Sequence, residues 1–208
     1  MERYHLAVDI GASSGRHILG WLENGKIQLK EVYRFENKLT EKDGHLCWEI
    51  DHLASQVKAG IKECAKLGFK PATMGIDTWA VDYVLLDEEG NRLTDAVAYR
   101  DERTNGIREE LEAEGKLTFA EHYSRTGIQF QKFNTAYQLY ALKKENPEVF
   151  EKAEAMLMIP DYLGYLLTGK KAQEYTNAST TALVNAYTKD WDWELIGKLG
   201  LPERIFFH

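Results

Sequence analysis

The 208-residue chain holds two cysteines, four prolines and no long apolar run. Two cysteines, Cys47 and Cys64, are too few for a disulfide framework and lack metal-ligand spacing. Both read as buried or half-buried thiols in a reducing compartment. The six histidines form no HxxxH pattern and no His/Cys cluster. The apolar runs are too short to span a bilayer, and Met1-Glu2-Arg3-Tyr4-His5 leads straight into a strand, so no signal peptide is expected. A formal net charge of −7 argues against nonspecific binding to nucleic acid or an anionic membrane. It leaves room for a nucleotide, whose charge is met locally by backbone dipoles and a metal ion. What is present, 44% hydrophobic and 28% charged residues, suits a soluble globular domain with a full core. The expectation is a cytoplasmic protein with neither nucleic acid nor membrane as partner.

The informative stretch is Leu6-Ala7-Val8-Asp9-Ile10-Gly11-Ala12-Ser13-Ser14-Gly15-Arg16. Its first half alternates apolar residues with Ala7 and Asp9, a strand pattern. It then enters a turn of glycine and small hydroxyl residues, where backbone N–H groups can approach an anion because no side chain stands in the way. Arg16 to Leu22 carries no helix-start signal and reads as a second strand. Asn24-Gly25 signals a two-residue hairpin, and Lys26 to Phe35 reads as the third strand. The small-residue loop therefore joins two antiparallel strands. Phosphate loops of the GxxxxGK[ST] and GxGxxG kinds lead from a strand into a helix, and neither pattern occurs here. A turn of this kind after a strand-end Asp9 resembles the first nucleotide loop of the actin-like ATPases. Taken alone, it equally fits an ordinary hairpin turn.

A polar excursion, Glu36 to Leu46, precedes a helix with Asp51 as its expected N-cap. Leu53, Val57, Ile61 and Ala65 recur on one face, Gly68 ends it and Pro71 blocks continuation. Thr73 to Thr78 reads as a short buried strand and Val81 to Leu86 as another, closed by Asp87-Glu88-Glu89-Gly90. A strand meander, a helix and a returning strand is the order of ribonuclease H-like domains. The expected fold class is α/β, with a mixed sheet and flanking helices. The second half reads as mainly helical, with caps at Thr104, at Asn134 or Thr135, and at Asn146 ahead of Pro147. Ala155 to Ile159 reads as a strand, Pro160-Asp161 opens a helix ending at Thr168-Gly169, and a last helix runs from Asp192 to Leu199. Phe206 and Phe207 beside a free carboxylate are an odd terminus for a soluble protein, so a fragment is expected.

Gly75 to Val84 places two carboxylates (Asp77, Asp82), the Thr78 hydroxyl, the Trp79 indole and Ala80 between two strands. Such groups grip sugars: the ring's C–H surface packs on the aromatic and hydroxyls donate to the acid. Ala80 lets a ligand come close to the backbone. The alternative is that Trp79 is core and Asp77 caps a turn. Ala98 to Thr104 packs four charges beside Tyr99, which also suits a helix start with acids near its N-terminus. Thr126 to Thr135 is a polar loop holding Phe130 and Phe133. For Phe133, ligand stacking and a hydrophobic staple at a helix entry both fit. Trp21, Trp48, Trp191 and Trp193 read as packing.

These blocks, in this order and over nearly the whole chain, resemble the FGGY carbohydrate kinases. Ala98-Tyr99-Arg100-Asp101 with Arg103-Thr104-Asn105-Gly106, Gly127-Ile128-Gln129-Phe130, Phe133-Asn134-Thr135 and Tyr175-Thr176-Asn177-Ala178 follow the pattern too. The resemblance implies ATP-dependent transfer of phosphate to the 1-hydroxyl of a ketose, L-rhamnulose first, with Mg2+. It implies that Ala12, Ser13, Ser14, Gly15 and Arg16 contact ATP and that Ala80 contacts the ketose, with Trp79, Asp82 and Phe133 beside it. Asp9 is expected to hold magnesium through water, because magnesium dehydrates reluctantly. At the position of Ala80 the family often has glycine, so one methyl group narrows the pocket. The family's second actin-like domain, which supplies the aspartate base and the adenine pocket, has no counterpart here. Residues 1–208 are therefore expected to be the N-terminal domain, with no catalytic base of their own and a C-terminal domain as partner. The rivals are a kinase of another ketose such as fuculose or xylulose, a chaperone or filament ATPase, and a sugar-responsive regulator. The ATPase reading gives no reason for Trp79 beside Asp82, and a regulator is expected to carry a DNA-binding segment, whereas the first strand here is expected from residue 4.

Overall fold

The computed structural model describes residues 3–207. Strands β1 (His5–Ile10), β2 (Ser14–Glu23) and β3 (Lys26–Glu36) form the expected antiparallel meander. Asn24 and Gly25 turn between β2 and β3 with φ of 50° and 75°. Positive φ at both positions is what a two-residue hairpin matched to strand twist requires. The excursion from Glu36 to Leu46 is no loop. It is a second hairpin, β4 (Leu39–Lys42) and β5 (His45–Trp48), turning at Asp43 and Gly44. Thr40 and Glu41, on opposite faces of β4, are both exposed, so the short ribbon lacks the alternation that would mark its period of two.

Helix α1 (Ile50–Lys66) packs under the meander, and its N-cap is Glu49 rather than Asp51. Asp51 lies in the first turn and accepts both Arg92 guanidinium N–H groups at 3.0 Å. The buried stripe is Ile50, Leu53, Val57, Gly60 and Cys64, rotated from the expected one because Ile61 is half-buried and Ala65 exposed. Gly60 faces inward because the His17 ring fills the space where a Cβ would stand, 2.3 Å away. Strand β6 (Thr73–Asp77) then returns parallel to β1 and completes a mixed sheet in the order β3-β2-β1-β6. As the edge strand it is mostly exposed, not buried.

β7 (Tyr83–Leu86) starts two residues later than the apolar run suggested, because Val81 and Asp82 belong to a turn. β8 (Ala96–Val97) joins β5. The helical half comprises α2 (Ile107–Ala113), α3 (Phe119–Thr126), α4 (Thr135–Glu145), α5 (Glu148–Lys152), α6 (Ile159–Thr168), α7 (Tyr175–Ser179) and α8 (Trp193–Lys198). β9 (Ala155–Met158) pairs antiparallel with β7. Thr104 caps nothing: Gly106, at φ 79°, is the α2 N-cap. Pro147, not Asn146, precedes α5. α3 has no counterpart in the sequence reading.

The β7–β9 ribbon has a face in each of two cores. Tyr83, Leu85, Met156 and Met158 join α2, α4 and α8, while Val84, Leu86, Ala155 and Leu157 join β1, β2 and α1. Both cysteines are free and buried, and burial pushes their thiols above the usual range. Among the described residues no helix is long and apolar enough to cross a membrane.

Candidate functional site

The loop from Gly11 to Ser13 sits at the carboxyl end of β1. The Gly11 N–H is not free, because it donates to the Ser14 carbonyl at 2.8 Å. Two loop carbonyls are held from behind by one residue, Asn37, just past β3. Its backbone N–H donates to Ser13 O at 3.0 Å and its side-chain Nδ2 to Gly11 O at 2.9 Å. With the carbonyls tied inward, the N–H groups of Ala12 and Ser13 have no acceptor among the described residues. Two neighbouring N–H groups without a partner are available to an anion.

Ser14 and Gly15 belong to β2 rather than to the turn, and Gly15 is buried. A Cβ on Gly15 would lie 2.1 Å from Phe35 Cζ, so close packing behind the loop, not approach of a ligand, demands glycine there. Arg16 turns to Asp9: Nε and Nη2 both reach Asp9 Oδ2, at 2.9 and 2.8 Å. Asp9 Oδ1 has no partner among the described residues, and Asp77 is its register partner on β6. Among the described residues no group of three or more His, Cys, Asp or Glu is placed to hold a metal. One free carboxylate oxygen beside a second aspartate suits a hard cation carried by phosphates and water.

From Asp77 the chain runs into the second predicted block. Asp77, Thr78 and Ala80 line a cavity of about 560 Å3, whose other wall is Asp161, Gly164, Thr176, Asn177 and Thr180 from α6, α7 and the turn after α7. The cavity opens at the carboxyl end of β6, adjacent to the loop after β1, the end of such sheets where ligands collect. Burial raises the Asp161 carboxyl to about 6. A second cavity of similar size, about 600 Å3, lies elsewhere, between β4, β5 and the end of α4.

Asp82 does not face this cavity. It is wholly buried and accepts four hydrogen bonds. Oδ2 takes Trp48 Nε1 at 2.6 Å, Trp79 Nε1 at 2.9 Å and the Tyr99 N–H at 3.0 Å, and Oδ1 takes Gln138 Nε2 at 2.9 Å. Burial raises its pKa, and the Gln138, Trp48, Tyr99 and Trp79 donors pull it back. With no surface left, Asp82 cannot accept from a sugar hydroxyl directly. It is the hub behind an aromatic wall. The Trp79 ring stacks on Trp48 at 3.9 Å, Tyr99 lies 6.3 Å from Trp48, and Phe133 meets Tyr99 edge-on at 5.5 Å. Trp79 and Phe133 keep part of their surface in solvent.

The third block is a brace: Asp101 accepts from the Leu46 N–H at 2.8 Å and the Arg103 N–H at 2.9 Å. Phe130 packs beside Tyr137 and under Arg108 rather than with Phe133. Trp48 and Trp191 are core, as read, whereas Trp193 is 39% exposed. Sequence reasoning missed Asn37, Gln138 and the donor role of Trp48. Their only signal was a polar or indole residue inside or beside an apolar pattern.

Residues 4–208 match the N-terminal domain of the FGGY family of carbohydrate kinases. The chain is 57% identical over 206 residues to a rhamnulokinase of Oceanobacillus iheyensis, covering 99% of this chain and 43% of that one. It is 59% identical over 203 residues to a rhamnulokinase of Halalkalibacterium halodurans, covering 98% and 43%. Among solved structures it resembles gluconate kinase from Lactobacillus acidophilus, at 23% identity and a TM-score of 0.86, over 98% of this chain and 41% of that one. It resembles ligand-bound xylulose kinase from the same organism at 24% identity and a TM-score of 0.84, over 97% and 41%. The chain thus spans less than half the length of the curated relatives it matches.

Proposed function

The chain belongs to the FGGY family of carbohydrate kinases, and from that membership we propose that it forms the N-terminal part of an enzyme phosphorylating L-rhamnulose on its 1-hydroxyl with ATP. The observation that carries this reading is 57–59% identity to rhamnulokinases along nearly the whole chain. The geometry supports it, with a loop of unpaired N–H groups one strand away from a cavity floored by Asp77, Thr78 and Ala80.

Phosphoryl transfer depends mainly on positioning and charge stabilisation. Ala12 and Ser13 N–H groups hold phosphate oxygens, helped by the Ser13 or Ser14 hydroxyl. Magnesium, when bound, neutralises charge on the transferring phosphate. Asp9 would hold it through water with Oδ1, since Arg16 already occupies Oδ2. Ala80 offers its backbone to the ketose, the partly exposed Trp79 and Phe133 would meet the sugar from outside the lining of that cavity, and Asp82 holds this aromatic cluster from behind. The general base and adenine pocket lie in a C-terminal domain of the longer protein, so no residue of this chain is assigned as the base. Closure of the two domains excludes water that would otherwise drain ATP. The setting is the cytoplasm.

The test is a coupled assay of ADP release from the full-length protein against L-rhamnulose, L-fuculose and D-xylulose. The highest kcat/KM is expected for L-rhamnulose, and a clear preference for another ketose would reassign the substrate. Residues 1–208 alone are expected to give no saturable turnover, since a general base contributes ~10²–10⁴-fold.

A further inference from the structure

Between Trp79 and β7 the backbone makes a three-residue turn. The Asp82 N–H donates to the Ala80 carbonyl at 2.9 Å, and Val81 between them has φ 68°. This is a γ-turn of the positive-φ hand, the rarer and more strained of the two. A β-branched residue is poorly suited to it. Such strain persists only where the surroundings over-determine it. Here the surroundings are two buried side chains of α4. Thr135 Oγ1 donates to the Val81 carbonyl at 2.6 Å, and Gln138 Nε2 lies 3.3 Å from the same oxygen. Gln138 Nε2 is also 2.9 Å from Asp82 Oδ1 and 2.9 Å from the Phe133 carbonyl, while its Oε1 accepts from Arg103 Nη2 at 3.2 Å. One side-chain amide thus ties together the turn, the hub carboxylate, the Phe133 loop and the charged block, although none of those segments contains it.

We infer that Gln138, together with Thr135, is a positioning residue that holds the Val81 γ-turn and so fixes the Ala80 backbone, the Trp79 ring and Phe133 as one ketose-facing wall. The inference rests on the sugar-site reading given above. Its physical content is a conformational choice. Without the clamp on its carbonyl, Val81 relaxes to negative φ, the Ala80–Val81 peptide rotates and the wall loses its shape. The phosphate loop, held separately by Asn37, is unaffected.

The test uses full-length enzyme and the variants Gln138→Met, Thr135→Val, Thr135→Ser and Val81→Gly, with Val81→Gly also combined with Gln138→Met. Loss of hydrogen bonds to buried acceptors should raise the ketose KM roughly tenfold or more in Gln138→Met and Thr135→Val. The KM for ATP should stay within about twofold. Thr135→Ser keeps the hydroxyl and should behave like the parent. Glycine adopts positive φ without strain, so Val81→Gly should restore most of the ketose KM to Gln138→Met. An unchanged ketose KM in both clamp variants overturns the inference, as does failure of Val81→Gly to rescue. A parallel rise in both KM values with a falling Tm also overturns it, since that marks a merely structural residue. If the parent phosphorylates no ketose, the functional reading fails on its own. The clamp is then judged by near-UV circular dichroism of the Trp48–Trp79 stack, expected to change in Gln138→Met and to return with Val81→Gly. No change there overturns it.

Discussion

Gly15→Ala puts a methyl group where the Phe35 ring already stands. The new Cβ would lie 2.1 Å from Cζ, 2.5 Å from Cε1 and 2.8 Å from Cε2, against ordinary carbon contacts of about 3.5–4.0 Å. The ring has little freedom to retreat. It is 7% exposed, and the His17 and Tyr33 rings each sit 6.2 Å away. Moving a buried aromatic by more than an ångström is an overpacking change, typically ~1–3 kcal/mol. For a domain of this size each kcal/mol lowers Tm by ~2–4 °C, so Gly15→Ala should melt ~2–12 °C below the parent. Phe35→Leu takes away the colliding atoms at a cost of its own of about 1 kcal/mol. The double variant should then be scarcely less stable than Phe35→Leu alone, a coupling of ~1 kcal/mol or more. Chemical denaturation of the four proteins at constant m-value measures this directly. If Gly15→Ala melts like the parent, or the two changes add, glycine is not there because of Phe35.

Asn37→Ala removes the side-chain donor to Gly11 O but leaves the backbone bond to Ser13 O. One lost bond of about 1 kcal/mol should raise the ATP KM of the full-length enzyme about fivefold with the ketose KM unchanged, and an equal change in both would refute the loop's role. Trp79→Ala should raise the KM of every ketose alike, by ~2–10-fold for an aromatic contact of about 0.5–1.5 kcal/mol. Loss of thermal stability with unaltered sugar kinetics would make Trp79 core. Asp161 titrates near 6 in the folded chain because of burial, above the ordinary value of an unfolded aspartate. Its contribution to stability is therefore present at low pH and lost as pH rises through about 6. Asp161→Asn should gain on the parent in melts taken from pH 4 to pH 7, and a constant gap between the two would contradict the assignment.

The meander, α1 and the returning strand were legible because each rests on local chemistry: Asn24-Gly25 for the turn, Gly68 for the helix end, alternating apolar residues for β1. The second hairpin was not, since Thr40 and Glu41 are both exposed although they point to opposite faces, and so leave no alternation. The α1 stripe was misplaced by one position because Gly60 contributes no apolar signal of its own. It is buried only because His17, far away in sequence, fills its missing side chain. The chemistry divides in the same way. The Gly11–Ser13 loop and the Trp79–Ala80 segment are written in contiguous residues and can be singled out as candidates from sequence alone. Asn37, Trp48 and Gln138 act across 26, 34 and 56 residues respectively, and a partner at that distance leaves no mark on local sequence. Asp82 was located correctly and given the wrong task. A carboxylate next to tryptophan looks the same in sequence whether it faces a sugar or the backs of two indoles.

The β7–β9 ribbon, four residues in each strand, has a consequence for how such a chain can change over generations. A substitution in α1 or β1 is absorbed by neighbours in its own core, and one in α4 or α8 by the other core. The two halves can therefore drift at separate rates. The ribbon residues have no such latitude. Each points into one core while its neighbours along the strand point into the other, so a backbone shift that suits one compartment misplaces side chains in the second. The strained turn at Val81 opens directly into this ribbon. The ribbon fixes where that turn ends, while the α4 side chains Thr135 and Gln138 fix its carbonyl, so a conformation of intrinsically low population sits where both cores meet.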